Sequence, residues 1–493
     1  MPAPHLPFRS DCLPAALLLT LLLFTCAPAP KEERANGAMD KPNIILILAD
    51  DMGYGDPGVY NPDSKIPTPH IDRLAAEGMR FTDAHTTSAV CTPTRYGIVT
   101  GQYSWRGPLK QGVTWSYDSL IIDTTMSTVA SLLANQGYRT ACVGKWHLGL
   151  GWQKEGETVR FDQPLTAGPN DVGFDYFYGI TASLDIPPYV YLRNDRVVEQ
   201  PVDSSAGTAV GYYDDFWRMG PVSPDFDHYE ALNDLTDQAE RVIREGAAAE
   251  APFFLYFPLT APHLPWIPRP EFRGKSGAGN YGDLTVEVDD VVGRITALVD
   301  SLGIGDNTLI VFTSDNGAQF SSERMRQYDH RANGPWRGRK GDAYEGGHRV
   351  PFIVRWPARV AAGSTTDALV STTDFYATFA ELTGQPTEPA GEIKDNHSFL
   401  PILGGDAGGS SRQAMVYHSA RGMFALREGQ RVLLRGRSSG GFLEVPDTSV
   451  ADPPRQLYDL ADDPGQERNL AAAAPEEADR MEKELERIIR RGG

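Results

Sequence analysis

The run NIILILADD at residues 43–51 constrains the fold more than any other stretch of the chain. Ile44 to Ala49 is apolar without interruption, and two aspartates end it. A strand with one wet face alternates apolar and polar residues. An unbroken apolar run needs both faces covered, which is the condition of a parallel strand inside an α/β sheet. Later segments repeat this logic. TPHIDRLAAEGMRF has helical spacing, with Thr68 and Pro69 as N-cap and first-turn residues. MSTVASLLANQGYRTACVGKW reads as a helix stopped by Gly137 and a strand running to Lys145. LTDQAERVIREGAAA with PFFLYFPLTAPH, and VEVDDVVGRITALVDSLGIGDNTLIVFTSDNGA, are two further helix–strand units. Such units predict an open α/β sheet with helices on both faces.

Near residue 412 the pattern changes. AMVYHSA, GMFALREG, QRVLLRG and QLYDLADD are short alternating strands, closed by the amphipathic PEEADRMEKELERIIRR. They predict a smaller antiparallel sheet with a covering helix, forming one wall of a cleft. A chain of 493 residues exceeds one simple core. We therefore divide it into a main domain over 42–410 and a C-terminal subdomain over 411–493.

The N-terminus reads as a targeting segment. Arg9 precedes an apolar stretch from Leu13 to Phe24 that is too short to span a bilayer. Residues 1–26 are expected to be a signal peptide and 27–41 a linker. Leu23-Phe24-Thr25-Cys26 resembles a lipoprotein cleavage box, although Thr25 departs from its usual small residue. Lipid anchoring at Cys26 and plain export both stand, and either takes the protein to the periplasm, the cell surface or the medium. Cys12 belongs to the leader, leaving Cys91 and Cys142 in the folded part. Two cysteines in an oxidising compartment invite a disulfide, but Cys142 lies in a strand-like run and is expected to be a buried thiol.

The formal net charge of -19 excludes a nucleic-acid binder, which needs a basic surface. It also means that an anionic substrate must be held by local cations, against the overall field. Polar residues gather where the strands end, the edge at which open α/β sheets build their sites. Asp50 and Asp51 end the first strand, Lys145 and His147 another, His263 a third, and Asp315 and Asn316 a fourth. Each alone has an ordinary structural explanation; four at one edge do not. The oxygen donors Asp50, Asp51, Asp315 and Asn316 suit a hard cation such as Ca²⁺. Lys145, His147 and His263 could then surround an anion beside it.

Cys91 opens CTPTRYGIVTGQ, which can start a helix with Pro93 in its first turn. A helix N-terminus favours an anion, and Arg95 lies one turn on along the same face. Nucleophilic thiolate, metal ligand, packing residue and precursor of another group are all open from these residues alone.

Taken together, NIILILADDMGYGD, CTPTRYGIVTGQY, GKWHLG, APH, SDNG and GRKGDAYEGGHRVPFIVRWP resemble the type I, formylglycine-dependent sulfatases, and SLDIPPYVYLRNDRV and NGPWRGRKG resemble the galactosamine-6-sulfatase-type members among them. The segments occur in the family's order over most of residues 42–360, and QLYDLADDPGQERNL resembles its C-terminal region. The resemblance implies an alkaline-phosphatase-like fold, a large mixed sheet sandwiched by helices with a smaller C-terminal antiparallel sheet plus helix. It implies that Cys91 is oxidised to Cα-formylglycine by a separate maturation enzyme. It implies Ca²⁺ held by Asp50, Asp51, Asp315, Asn316 and residue 91. Arg95, Lys145, His147, His263 and Lys340 match sulfate-binding and proton-handling residues, and Ser183 falls near a polar sulfate-site position. In the implied mechanism one hydroxyl of the hydrated aldehyde attacks sulfur, His263 protonates the leaving alcohol, and His147 deprotonates the other hydroxyl so that sulfate departs.

Two rivals remain at this point. A phosphonate or phosphate ester hydrolase of the same superfold shares Cys-x-Pro-x-Arg, but such sites more often carry His beside the second Asp, where this chain has Asn316. A non-catalytic glycan-binding relic would not keep every catalytic position. The aromatic-rich DIPPYVYLRNDRV and HLPWIPRP suit a sulfated carbohydrate, and the expectation is a 6-sulfated galactose or N-acetylgalactosamine at a chain end. Asp185, Trp266, His330 and Arg337 are the candidate sugar-side residues.

Overall fold

The computed structural model describes residues 41–210, 214–387, 395–406, 412–442 and 454–490. The leader with Cys12 and Cys26, the linker up to residue 40, and the boundary at 410/411 lie outside the described residues.

Among the described residues, ten strands form one mixed sheet. In chain order these are β1 (Asn43–Ala49), β2 (Met79–Phe81), β3 (Arg139–Lys145), β4 (Tyr176–Ile180), β5 (Leu192–Arg193), β6 (Arg196–Val197), β7 (Phe253–Pro258), β8 (Thr308–Ser314), β9 (Phe352–Arg355) and β10 (Ser364–Thr366). Their spatial order is β10-β2-β9-β8-β1-β7-β3-β4-β5-β6. The central strands β8, β1, β7, β3 and β4 are mutually parallel, so their C-terminal ends share one edge. Strands β9 and β5, flanking this block, run antiparallel to it.

Ile45 and Ile47 of β1 face one hydrophobic cluster, with α1 (Pro69–Glu77) and, later in the chain, two long helices packed on it. Ile44, Leu46 and Leu48 face the other. The second face is covered by α2 (Cys91–Thr100), α3 (Val129–Ala134) and, near residue 380, a further helix. The two long helices on the first face are α4 (Ala231–Ala247) and α5 (Gly279–Ser301), and the further helix on the second is α6 (Asp374–Leu382). This is the reason the β1 sequence shows no alternation: both of its faces are dry. Thr68 does precede α1, but its side chain does not cap it. Its hydroxyl instead donates to Asp72 and accepts from the Gly58 amide.

The smaller antiparallel sheet comprises β11 (Ala414–His418), β12 (Phe424–Glu428), β13 (Arg431–Leu434) and β14 (Gln456–Asp459). Val416, Leu426, Leu433 and Leu457 on one face bury Ala478, Met481 and Leu485 of α7 (Pro475–Arg490), together with Tyr103 and Trp105. The opposite face packs on Ala343, Tyr344 and Leu369 of the main body. Large mixed sheet, helices on both faces and separate small sheet with a covering helix are the expected architecture. Cys91 and Cys142 are both free and buried, so no disulfide joins them.

Candidate active site

The C-terminal ends of the five parallel strands deliver their next residues to one place. Asp50 and Asp51 follow β1, Lys145 ends β3 with His147 two residues on, Ser183 follows β4, His263 follows β7, and Asp315 and Asn316 follow β8. Cys91 enters from the side as the first residue of α2, whose N-cap Val90 supplies no side-chain capping bond. A cavity of about 480 Å³ opens above them, with Cys91, Asp51, His147, Ser183, His263 and Lys340 in its wall. Asp50, Arg95, Lys145, Asp315 and Asn316 are fully buried around this group.

Each carboxylate at this edge faces a cation. Lys145 Nζ lies 2.7 Å from Asp50 Oδ2. Arg95 donates Nε and Nη2 to Asp315 Oδ2 at 3.1 and 2.8 Å and Nη1 to the Lys145 carbonyl at 2.9 Å. Lys340 Nζ lies 2.8 Å from Asp51 Oδ2. Burial works against the Asp50 carboxylate, but Lys145, His263 and Arg95 outweigh it and hold the group below its ordinary range. Burial likewise opposes the Lys340 ammonium, and Asp51 overcomes it, so its affinity for the proton is raised. Three carboxylates and three cations leave the floor of the cavity near neutrality.

Two residues here hold left-handed backbone that side chains rarely adopt: Asp51 with φ 67° and His147 with φ 56°. Both are pinned. The Asp51 amide donates to Asp315 Oδ1 (3.1 Å), and its carbonyl accepts from Tyr281 (3.3 Å). The His147 carbonyl accepts from the hydroxyls of Thr92 and Thr114 at 2.9 and 3.1 Å.

Ring nitrogens are assigned by their neighbours. His147 Nε2 sits 2.9 Å from the Thr114 carbonyl, which can only accept, so Nε2 carries the proton and the partnerless Nδ1 is a bare acceptor. Burial, then Lys145 and Arg95, push His147 well below the usual histidine range and keep it neutral. His263 Nδ1 sits 2.7 Å from the Leu264 carbonyl, so Nδ1 carries a proton, and Nε2 lies 3.8 Å from Asp51 Oδ2.

The thiol of Cys91 is 2% exposed, and burial pushes it up to about 12 despite Lys145 and Lys340 nearby. A thiolate nucleophile at neutral pH is therefore not what this site stabilises.

The donor set fits a hard cation. Asp50 Oδ1 and Asn316 Oδ1 are buried and accept no hydrogen bond. The Asn316 amide nitrogen is spent on Asp51 Oδ1 (2.7 Å) and the Gly317 carbonyl (3.0 Å), which fixes its oxygen as the free end. Atoms of Asp50, Asp51, Cys91 and His263 lie within 4.8 Å of one another. This group shares Asp50, Asp51 and Cys91 with the expected ligand set and adds His263. Of the other two expected ligands, Asn316 offers its free Oδ1, and both oxygens of Asp315 also serve Arg95 and the Asp51 amide.

The sugar-side candidates divide. Ser183 and Asp185 line the cavity; the Ser183 hydroxyl and Asp185 Oδ1 make no hydrogen bond, and Oδ1 lies 4.0 Å from His263 Nδ1. Trp266 does not line it: the ring is 1% exposed, packs on Tyr281 and donates Nε1 to the Pro262 carbonyl (2.9 Å). His330 is equally enclosed, with Nε2 2.8 Å from Asp56 and Nδ1 accepting from the Lys65 amide. Both are corrected from sugar contacts to structural residues. Arg337 lines adjoining cavities rather than the one containing Cys91.

Sequence reasoning missed several wall residues. Trp115 and Phe442 line the cavity and are 51% and 47% exposed overall, the two exposed large aromatics among the described residues. Arg218 reaches in to pair with Asp185 and lies over the Trp115 ring. Arg339, directly before Lys340, was legible in GRKG as a second cation beside it.

A family model described as Sulfatase matches residues 42–385. An N-acetylgalactosamine-6-O-sulfatase of Bacteroides thetaiotaomicron is 35% identical over 93% of this chain and 95% of its own. Human arylsulfatase A is 34% identical over 88% and 85%. A solved Bacteroides thetaiotaomicron structure, from work on glycosaminoglycan metabolism, superposes with a TM-score of 0.81 at 34% identity, covering 91% of this chain and 99% of that one.

Proposed function

The chain belongs to the sulfatase family and is a sulfuric ester hydrolase, and from that premise we propose that it cleaves O-sulfated carbohydrate with residue 91 as Cα-formylglycine and a calcium ion at the strand ends. The observation that carries the reading is Cys91 itself, buried at the foot of the cavity as a protonated thiol amid three carboxylate–cation pairs. Such a thiol is a poor nucleophile. An oxidised residue 91 supplies a hydroxyl oxygen there instead, after a maturation enzyme has acted on the Cys-x-Pro-x-Arg stretch.

Asp50, Asp51, Asp315 and Asn316 would hold the cation, which supplies charge neutralisation for non-bridging sulfate oxygens. It would also give an otherwise neutral floor a surplus of positive charge, which an anionic ester needs in a chain of net charge -19.

The chain's own groups divide the remaining work. Lys145 and Lys340 present ammonium groups to developing negative charge, while Arg95, clamped by Asp315 and the Lys145 carbonyl, holds the floor rigid. His263 is positioned to pass a proton from Nε2 to the departing alcohol, since Leu264 occupies Nδ1. His147 is positioned as a base through Nδ1, since Thr114 occupies Nε2.

The exposed rings of Trp115 and Phe442, with Ser183 and Asp185 between polar walls, suit a sugar, whose faces stack on aromatics and whose hydroxyls need fixed partners. A 6-sulfated galactose or N-acetylgalactosamine at a chain end is the proposed unit, in keeping with the name of the Bacteroides thetaiotaomicron relative. The leader directs the protein out of the cytoplasm, with Cys26 as the lipid attachment point if an anchor is added.

Peptide mass spectrometry of protein made with a maturation enzyme tests the mechanism. Residue 91 should be lighter than cysteine by the thiol-to-aldehyde change, and Cys91→Ser should lose turnover while keeping its fold. Full activity with an unmodified thiol would sink it. A panel of defined sulfated monosaccharides and disaccharides tests the substrate.

A further inference from the structure

The loop 331–342 joins three cavities. The catalytic cavity shares Arg339, Lys340 and Phe442 with a smaller one of about 200 Å³. That one shares Arg337 and Gly338 with an outer cavity of about 800 Å³, the largest of the three. A path therefore runs from Lys340, at the reacting centre, outward past Arg339 and Arg337 to Arg331 and Arg326.

This path is cationic in a strongly anionic protein. Among the described residues, the guanidinium groups of Arg331 and Arg339 have no carboxylate within ion-pair reach, whereas the inner cations each face one. Although its charge reaches Asp342, Arg337 is oriented without a direct ion pair among the described residues. It lies 4.0 Å over the Tyr344 ring and donates Nη1 to the Gln466 carbonyl at 2.5 Å. Among the described residues three carboxylates border the path, fewer than its five cations Arg326, Arg331, Arg337, Arg339 and Lys340. Glu467 lines the outer cavity, and Asp342 feels the charges of Arg339 and Arg337. Asp329 pairs with Lys65 at 3.5 Å, and Asp342 accepts from Ser439 and from the Arg339 amide. Phe442, at the junction of the first two cavities, offers an apolar face of the kind on which a sugar ring stacks.

From this we infer that the cavities beyond the catalytic one bind the neighbouring sugar of the substrate, and that this sugar carries its own oxyanion, held by Arg337 and Arg339. The inference rests on the sulfatase reading above and narrows the substrate from sulfated carbohydrate to a polyanionic oligosaccharide. Guanidinium forks match carboxylate and sulfate oxygens alike, so a uronate and a second sulfate ester are both within the chemistry.

The test compares kcat/KM on four substrates: a small aryl sulfate, a singly sulfated disaccharide with a neutral second sugar, and the same disaccharide with a uronate or a sulfated second sugar. Mature wild-type enzyme should prefer at least one charged disaccharide over the neutral one by about tenfold or more, and higher salt should erode the preference. Which charged disaccharide gains identifies the oxyanion. In Arg337→Gln/Arg339→Gln the ratio of charged to neutral disaccharide should fall toward one, with the loss carried by KM. Equal kcat/KM for neutral and charged disaccharides in the wild type, or a preference that survives in the double variant, overturns the inference. If wild type turns over no sulfate ester at all, aryl sulfate included, the sulfatase reading falls and this inference with it. Aryl sulfate turnover without charge preference rejects the inference alone.

Discussion

Lys340 Nζ lies within 2.8 Å of both carboxylate oxygens of Asp51, at 2.7 Å from Oδ1 and 2.8 Å from Oδ2. Both groups are buried, and Asp51 holds a left-handed φ of 67° beside them. The pair thus fixes a strained strand end and keeps a protonated amine at the cavity wall. Lys340→Met keeps most of the side-chain volume and removes the charge. It should lower kcat by about 10²–10³, the scale of losing one preorganised charge-stabilising group. KM should change less. Steady-state kinetics on an aryl sulfate check this, and a kcat within threefold of wild type would remove Lys340 from the reaction.

Much of this site could be read from the sequence, and the reason is topological. Strands β1, β3, β7 and β8 are buried and parallel, so whatever follows their last apolar residue must emerge at one edge. Asp50, Asp51, Lys145, His147, His263 and Asp315 were therefore recoverable from runs that end in polar residues. Trp266 follows His263 by only three positions, yet its ring turns into the core beside Tyr281. Spacing along a loop does not say which way a side chain faces. Trp115, Arg218 and Phe442 reach the cavity from a loop, an excursion between strands and the C-terminal region. Their convergence depends on contacts that no local pattern encodes.

Metal dependence is the expected consequence of two buried oxygens that accept no hydrogen bond, Asn316 Oδ1 and Asp50 Oδ1, the latter with only Arg95 Nη2 at 3.4 Å. A buried acceptor left without a hydrogen bond costs about 1–3 kcal/mol, and a bound cation would relieve Asn316 Oδ1 and add to the single charge contact of Asp50 Oδ1. Treatment with a calcium chelator should abolish turnover, and Ca²⁺ should restore it. Because the ion binds the folded chain, saturating Ca²⁺ should also raise the melting temperature by a few degrees. Asn316→Leu should blunt both responses. Calorimetric titration and thermal scans measure them independently of activity, and a melting temperature indifferent to Ca²⁺ would contradict the assignment.

The pH dependence of kcat should reflect His147. Its folded-state affinity for protons is depressed, through burial first and then Lys145 and Arg95. A depressed histidine is neutral at and above the ordinary value near 6.5, so the base is available throughout that range. It is lost only on acidification well below it. The acid limb of kcat should therefore lie well under pH 6.5 in the mature enzyme. His147→Ala should cost about 10²–10⁴ in kcat, the usual worth of a positioned acid–base group. Thr114→Val should keep the Thr114 carbonyl, and with it the ring orientation, while removing one of the two hydroxyls that brace the His147 backbone. A smaller loss is expected there.

A second buried network ties the small sheet to the main body. Arg427 of β12 donates Nη2 to Asp83 Oδ2 at 2.8 Å and Nη1 to Glu345 Oε2 at 3.1 Å, and Arg349 reaches the same two carboxylates at 2.8 and 2.9 Å. Burial opposes the Glu345 charge, but Arg427 and Arg349 outweigh it and hold the group at about 2. Burial, then Arg349, holds His85 at about 4, so it stays neutral. The signs agree. Between roughly pH 6.5 and 4 the unfolded chain takes up a proton that His85 refuses when folded, and between about 4.5 and 2 the same holds for Glu345. Stability should fall with acidification across both windows, and the melting temperature should slope downward from about pH 6.5. Arg427→Met removes one cation from this network and leaves two buried carboxylates sharing Arg349. It should cost about 3–5 kcal/mol at neutral pH. It should also weaken the acid slope below pH 4.5, because Glu345 would then hold its proton more readily when folded. Denaturant unfolding of wild type and variant at pH 7 and pH 4 measures both effects. An unchanged midpoint at pH 7 would mean that Arg427 does not hold the small sheet in place.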